Sequence, residues 1–240
     1  MKMKNDGPDA PHRLPNSRFT RLAVFLGRLL FWRRKVYGKE NIAFSKPGVF
    51  TCNHGRTSGP ASAVIHLPVR FKPWINACML DREEATATMM RTFRDKFTFL
   101  GNGIKRRLLY AASGVVCHFL NSFEPIPVFK GKSKESLETI RQSVDALVRG
   151  YNLLIFPEKP GDRYDEHSFK EFNTGFAALG KAYFERTGER LDFYPIWSDG
   201  KSRSFRIGKP VSFDPANEDR AEKVRISSEL KERMIALKDS

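Results

Sequence analysis

Short apolar runs separated by stretches of helical periodicity are the feature that most narrows what this chain can fold into. Val49-Phe50-Thr51-Cys52 is one such run; Trp74 to Cys78, Ile126 to Phe129, Asn152 to Phe156 and Leu191 to Trp197 are others. Between them the periodicity predicts a helix from near Ser58 and a second opened by Asp81 as N-cap, carrying Ala85, Met89, Met90 and Phe93. A basic segment spans Arg91 to Arg107, and Leu108 to Phe119 reads as a buried helix. A helix capped by Ser133 shows Leu137, Ile140, Val144 and Leu147 at helical spacing and stops at Gly150. After a polar loop from Lys159 to Ser168 come a helix from Phe172 to Phe184, a strand from Ser204 to Ile207 and a charged terminal helix. Strands separated by helices imply an α/β fold with a mostly parallel central sheet flanked by helices. No repeat or linker divides it, so residues 47–240 are expected to form one α/β domain behind an N-terminal appendage.

That appendage carries a disproportionate share of the charge. The chain has 42 Lys and Arg against 27 Asp and Glu, a formal net charge of +15, which calls for an anionic partner: nucleic acid, a phospholipid surface, or a phosphorylated or CoA-like substrate. Residues 1–46 hold 11 of the basic residues and only Asp6, Asp9 and Glu40 of the acidic ones. Residues 1–17, proline-bearing and poorly apolar, are expected to be a disordered basic tail. In residues 18–46 a helix would place Phe19, Leu22, Leu26, Leu29 and Leu30 on one face with Arg18, Arg21 and Arg28 in an adjoining sector. No apolar run reaches the roughly 18 residues of a bilayer-spanning helix. The pattern instead suits an amphipathic helix lying in a membrane interface, with Phe25, Phe31 and Trp32 beside Arg33, Arg34 and Lys35 as anchors against anionic lipid. A helix packed on its own domain would bury that stripe and leave only a solvated basic face. Cys52, Cys78 and Cys117 show no CxxC spacing and no cleavable signal pattern opens the chain, so the expected setting is reducing and cytoplasmic, without metal site or disulfide framework.

Of the five histidines, only His54 sits in a turn at the carboxyl end of a strand just before a helix, where open α/β folds place their chemistry. His118 falls in an apolar helix and reads as a core residue; Cys52 reads as a buried structural thiol. A second cluster, Phe156-Pro157-Glu158, ends another strand and is followed by Lys159, Arg163 and Lys170. Together these segments resemble the glycerolipid acyltransferase family, which includes the 1-acylglycerol-3-phosphate acyltransferases. Asn53-His54 resembles the start of that family's Asn-His-x4-Asp motif, and Phe156-Pro157-Glu158 the start of its Phe-Pro-Glu-Gly motif. Ile126-Pro127-Val128-Phe129-Lys130 is similar to its substrate-binding block, with lysine in place of arginine, and Tyr194-Pro195-Ile196 to its fourth block.

The resemblance implies acyl transfer from acyl-CoA or acyl-carrier protein, as co-substrate and with no resident cofactor, to the hydroxyl of a lysophospholipid or related lipid at the cytoplasmic face of a membrane. His54 would act as general base, a step worth about a hundredfold or more. Asn53, Arg56, Phe156, Pro157 and Lys159 would line the substrate site, and Lys130, Arg163 or Lys170 would hold an acceptor phosphate. Backbone N–H groups at the helix start after His54 would stabilise the oxyanion.

Two departures bear on this. Gly59 stands where the family has its aspartate, the carboxylate that fixes the histidine tautomer; losing that role in a serine-protease triad costs about 10⁴-fold in kcat. Lys159-Pro160 follows Phe-Pro-Glu in place of Gly-Thr. Three outcomes follow: another carboxylate (Glu158, Asp162, Asp165 or Asp81) orients His54, the enzyme is weak or altered in specificity, or the chain is a lipid-binding relative without the chemistry. Nucleic-acid binding, with aromatic residues near Arg33 and Arg94 stacking on bases, would also explain the charge. It carries no recognised motif and leaves the ordered motif series unexplained.

Overall fold

In the computed structural model the described residues are 18–31, 35–54, 58–94, 101–129, 133–158, 172–200 and 202–239. The expectations for the 1–17 tail and for Trp32, Arg33 and Arg34 lie outside them, as do those for the side chains of Arg28, Leu30 and Phe31.

The chain runs α1 (Arg18–Phe31), β1 (Lys35–Tyr37), β2 (Gly48–Cys52), α2 (Ser58–His66), β3 (Phe71–Asn76), α3 (Arg82–Thr92), α4 (Asn102–Asn121) and β4 (Ile126–Val128). It continues with α5 (Ser133–Val148), β5 (Asn152–Ile155), α6 (Ala178–Thr187), β6 (Asp192–Asp199), β7 (Ser204–Ile207), β8 (Val211–Ser212) and α7 (Asp219–Asp239). One eight-stranded sheet has the order β1-β7-β6-β2-β5-β3-β4, with β8 also on β6. The pairs β1/β7, β6/β2, β2/β5, β5/β3 and β3/β4 are parallel; β7 and β8 each pair β6 antiparallel. This is the mostly parallel α/β sheet that the alternating pattern predicts.

Successive residues of a strand face opposite sides, and the register sorts them. Val49 lies opposite Leu153 and Phe193, while Phe50 lies opposite Leu154 and Tyr194. The first set joins Val144, Leu147, Leu179, Ile226, Leu230 and Met234 in a core roofed by α5, α6 and α7. The second joins Ala63 of α2 and Leu67 just after it with Cys52, Ile196 and Phe205, and there the Phe50 and Tyr194 rings stack at 4.7 Å. Cys52 is buried, in keeping with a structural thiol.

Several boundaries and environments differ from the sequence reading. The Trp74 to Cys78 run begins earlier, at Phe71, and its last residues turn into a 3-10 segment, Ala77–Met79, because the Asn76 side chain accepts the Cys78 N–H. The Phe172 to Phe184 helix begins only at Ala178, after a 3-10 turn at Thr174–Ala177 that the Asn173 side chain caps. Two short strands were not signalled: β8, and β1, which lies in the 18–46 segment and joins the sheet at its edge. Two-to-three-residue strands are too short to show a period, and only their partners define them.

The largest correction concerns the Leu108–Phe119 helix. It is the second half of the longer α4, and it is not a buried helix: Leu108 and Val115 are exposed at 56% and 55%, and Ser113 and Cys117 occupy the inward side. His118, expected in the core, is also exposed and packs edge-on against Phe19 of α1. An apolar composition says that a helix has an apolar face; what that face meets is decided by the neighbours.

The candidate active site

Parallel β2 and β5 are neighbours, so their carboxyl ends open side by side, the place where an open α/β sheet offers its crevice. The first segment ends β2 at Asn53 and His54; the second ends β5 at Phe156, Pro157 and Glu158. Glu158 Oε1 accepts the backbone N–H of His54 at 3.0 Å. The Phe156 ring stands edge-to-face to the imidazole, centroids 5.4 Å apart at 70°. Segments 104 residues apart thus meet in one constellation. The His54 side chain is exposed, within reach of a ligand arriving from solvent.

Each partner is fixed from behind. Asn53 is buried, and its amide closes a two-bond clip on β6: it donates to Ser198 O at 3.0 Å and accepts Ser198 N–H at 2.7 Å. That clip extends the β2/β6 ladder by a side chain and holds the backbone from which His54 projects. Buried Pro157 accepts the Asn173 N–H at 2.8 Å, and Glu158 forms an antiparallel bridge with Phe172. The chain therefore leaves the site at Glu158 and re-enters beside it at Phe172. Ser198, Phe172 and Asn173 escaped the sequence reading because a backbone group or a return strand leaves no residue-type signature.

At Gly59, where the resemblance leads one to expect an aspartate, the backbone leaves no room for a side chain. A Cβ at this position would lie 1.9 Å from Asn53 O and 2.8 Å from His54 O. The Gly59 N–H also donates to His54 O at 3.2 Å, closing the strand-to-helix turn. Backbone against backbone cannot relax as a flexible side chain can, so no side chain fits here, a carboxylate included. This N–H, one of those at the helix start, is committed to the turn.

Of the other carboxylates, Asp81 caps α3 by accepting the Glu84 N–H at 2.9 Å, while Asp162 and Asp165 lie outside the described residues. Arg56, Lys130, Lys159, Arg163 and Lys170 also lie outside them. The rest of the Lys130 block is β4, separated from β5 by β3, and Tyr194-Pro195-Ile196 is the middle of β6, directly beside β2. Among the described residues no three His, Cys, Asp or Glu side chains are grouped to hold a metal ion, and no helix is long and apolar enough to cross a membrane.

No family model matches this chain, and no curated protein matches it in sequence. Among solved structures it is similar to the 1-acyl-sn-glycerophosphate (LPA) acyltransferase PlsC from Thermotoga maritima, at 14% sequence identity. The superposition has a TM-score of 0.51 and covers 92% of this chain and 80% of that one. The likeness is one of fold: the two chains share the mostly parallel, helix-flanked sheet.

Proposed function

We propose that this chain is an O-acyltransferase that moves a fatty acyl group from acyl-CoA or acyl-carrier protein to the hydroxyl of a lysophospholipid or related lipid. The observation that carries the reading is the meeting of His54 with Phe156 and Glu158 at the ends of adjacent parallel strands. The imidazole takes the acceptor hydroxyl proton as its oxygen attacks the thioester carbonyl carbon. The tetrahedral intermediate then expels the thiolate, which takes that proton back, so the products are an ester and a free thiol. Glu158 is a positioning residue: it holds the His54 backbone, and its negative charge favours the imidazolium formed during the step. Lys130, Arg163 and Lys170 are the candidates for an acceptor phosphate, and Arg56 and Lys159 for further substrate contacts. Work at an anionic membrane surface, on the cytoplasmic face, completes the reading, and the exposed stripe of α1 supports it.

Purified protein is incubated with long-chain acyl-CoA and a panel of lysophospholipids, following thiol release and acylated product. His54→Ala is expected to lower kcat by about a hundredfold or more without changing the melting temperature. Glu158→Gln keeps an acceptor for the His54 N–H but removes the charge. It is expected to lower kcat about tenfold with KM unchanged, and to move the acidic limb of the pH profile to lower pH because the imidazolium loses a favourable charge. A purely structural Glu158 would leave that limb in place.

A second reading, a lipid-binding relative without the chemistry, is favoured by the absence of room for a carboxylate at Gly59. It prevails if the parent turns over neither CoA nor acyl-carrier-protein donors yet binds lipid vesicles. Salt-sensitive retention on single-stranded nucleic acid without vesicle binding would overturn both lipid readings.

A further inference from the structure

Helices α3 and α4 bury polar side chains between them, while α4 turns an apolar stripe outward. Between them Thr86 Oγ1 and Ser113 Oγ share a hydrogen bond of 2.7 Å. Arg82 donates through Nε to Tyr110 O at 3.0 Å, and its guanidinium carbon lies 3.8 Å from the centroid of the Tyr110 ring. A Cβ on Gly114 would meet that guanidinium at 2.9 Å, so glycine lets it lie flat on the helix. Lys105, only 5% exposed, donates to Arg94 O at 2.9 Å. On the outer side Ile104, Leu108 and Val115 fall within one helical stripe, with Ile104 exposed at 58%. A helix pair meant for water would put these aliphatic chains inside and the hydroxyls out.

The same inversion occurs on α1, and the two stripes meet. Thr20 and Val24 are buried, and a Cβ on Gly27 would touch Ile65 of α2 at 3.2 Å, whereas Leu22, Phe25 and Leu29 are exposed at 57%, 61% and 62%. The α1 stripe reaches α4 where Phe19 packs on His118 at 5.6 Å and Thr20 Oγ1 donates to Ser122 Oγ at 2.7 Å. Charge singles out the same two helices. Neither α1 nor α4 contains an Asp or Glu, and Arg18, Arg21, Arg106 and Arg107 are exposed. On α5 and α7, by contrast, cations pair with carboxylates of their own helix, as Arg141 does with Glu138 and Arg225 with Glu222 and Glu229.

We infer that α4 is a second membrane anchor, and that it forms with α1 one docking surface for an anionic phospholipid leaflet. The apolar stripes enter the acyl boundary, and the cations that adjoin them, Arg18 and Arg21 on α1 and Arg107 on α4, face lipid phosphates. This deepens the acyltransferase reading, since a lipid acceptor would then be met where it resides.

The test measures partition of the full chain onto vesicles of phosphatidylglycerol with phosphatidylcholine, against phosphatidylcholine alone. The parent is expected to prefer the anionic vesicles. Combined Ile104→Ser, Leu108→Ser and Val115→Ser is expected to lower partition about a hundredfold, with the circular dichroism spectrum and melting temperature unchanged. Arg18→Gln with Arg107→Gln is expected to lower it about tenfold on anionic vesicles only. Unchanged partition of the α4 triple variant, while Leu22→Ser with Leu29→Ser abolishes it, overturns the inference. So does an α4 face that mediates self-association, or that binds acyl-carrier protein, in a parent that ignores vesicles. Turnover of lysophospholipid presented in these vesicles, with acyl-CoA and with acyl-carrier-protein donors, is scored separately. A parent inactive with every donor but dependent on α4 for vesicle binding retains this surface and loses the acyltransferase reading.

Discussion

The sheet and the α1–α3–α4 layer solve the burial problem in opposite directions. Around β2, β5 and β6, large apolar side chains such as Phe193, Leu154 and Ile196 are sealed inside. On α1, α3 and α4, Thr20, Thr86, Lys105 and Ser113 are sealed inside with the small Val24, Ala85 and Cys117, while Phe25, Leu29, Ile104 and Leu108 face out. Water drives the first arrangement. The second is stable because its buried polar groups find partners, as Thr86 does in Ser113 and Lys105 in Arg94 O. Two regions of one chain thus expect different surroundings, and the comparison teaches that exposure of an apolar stripe can be part of the design of a fold.

The largest effect should come from the sheet. Phe193→Ala removes a fully buried ring that meets Phe176 at 6.0 Å, and is expected to cost about 3–5 kcal/mol in chemical unfolding. A cost below about 1 kcal/mol would break the comparison at its better-packed end.

Next comes the turn from β2 to α2 that follows His54. Gly59→Asp, which would supply the aspartate that the resemblance leads one to expect, is predicted to lose about 3 kcal/mol and to reduce turnover, because its Cβ collides with Asn53 O. A gain in kcat would show that the turn relaxes and that the aspartate was merely absent.

A smaller effect belongs to α7, where polarity inside is handled by ionic pairing. Burial pushes the Glu222 carboxyl up, but Arg225, the Asp214 N–H and the Asn217 amide outweigh it and hold the group at about 2. A carboxyl depressed in the folded state stabilises above its ordinary value and loses that contribution as pH falls toward the folded one. Glu222→Gln is therefore expected to be less stable than the parent by about 2 kcal/mol at neutral pH. In acid melts the difference should shrink as pH falls from about 4.5 to about 2. A constant difference across that range would place the stabilisation elsewhere.

The smallest effect should be the most telling. Leu108→Ser, a loss of a large aliphatic chain, is expected to change stability in water by no more than about 0.5 kcal/mol, because the side chain is already exposed. A cost like that of Phe193→Ala would mean that α4 is packed after all, and the contrast between the two regions would disappear.

Much of this organisation was legible in the residues. The apolar runs at Val49, Ile126, Asn152 and Leu191 became strands of one mostly parallel sheet, and the prediction that chemistry-bearing residues sit at strand ends brought attention to both halves of the site. The α1 stripe was also visible, because a period of 3.6 residues declares which side chains share a face. Periodicity is silent about what that face meets. So α4, read as buried, exposes its stripe, since the positions that meet α3 are Ser113 and Gly114, with Cys117 against Met79 O just before α3.

By itself, then, the sequence determined the alternation of strands and helices, the excess of positive charge at the amino end and the placement of His54 and Glu158 at strand ends. Those are properties of local propensity and composition, which neighbours in the chain suffice to set. Only the tertiary structure decided that Glu158 reaches the His54 backbone, that Asn53 clips onto Ser198, that Gly59 has no room for a carboxylate, and that α1 and α4 turn their apolar stripes outward. Each of these is set by contacts between segments far apart in sequence, where strand register and close packing, not local preference, fix which atoms meet.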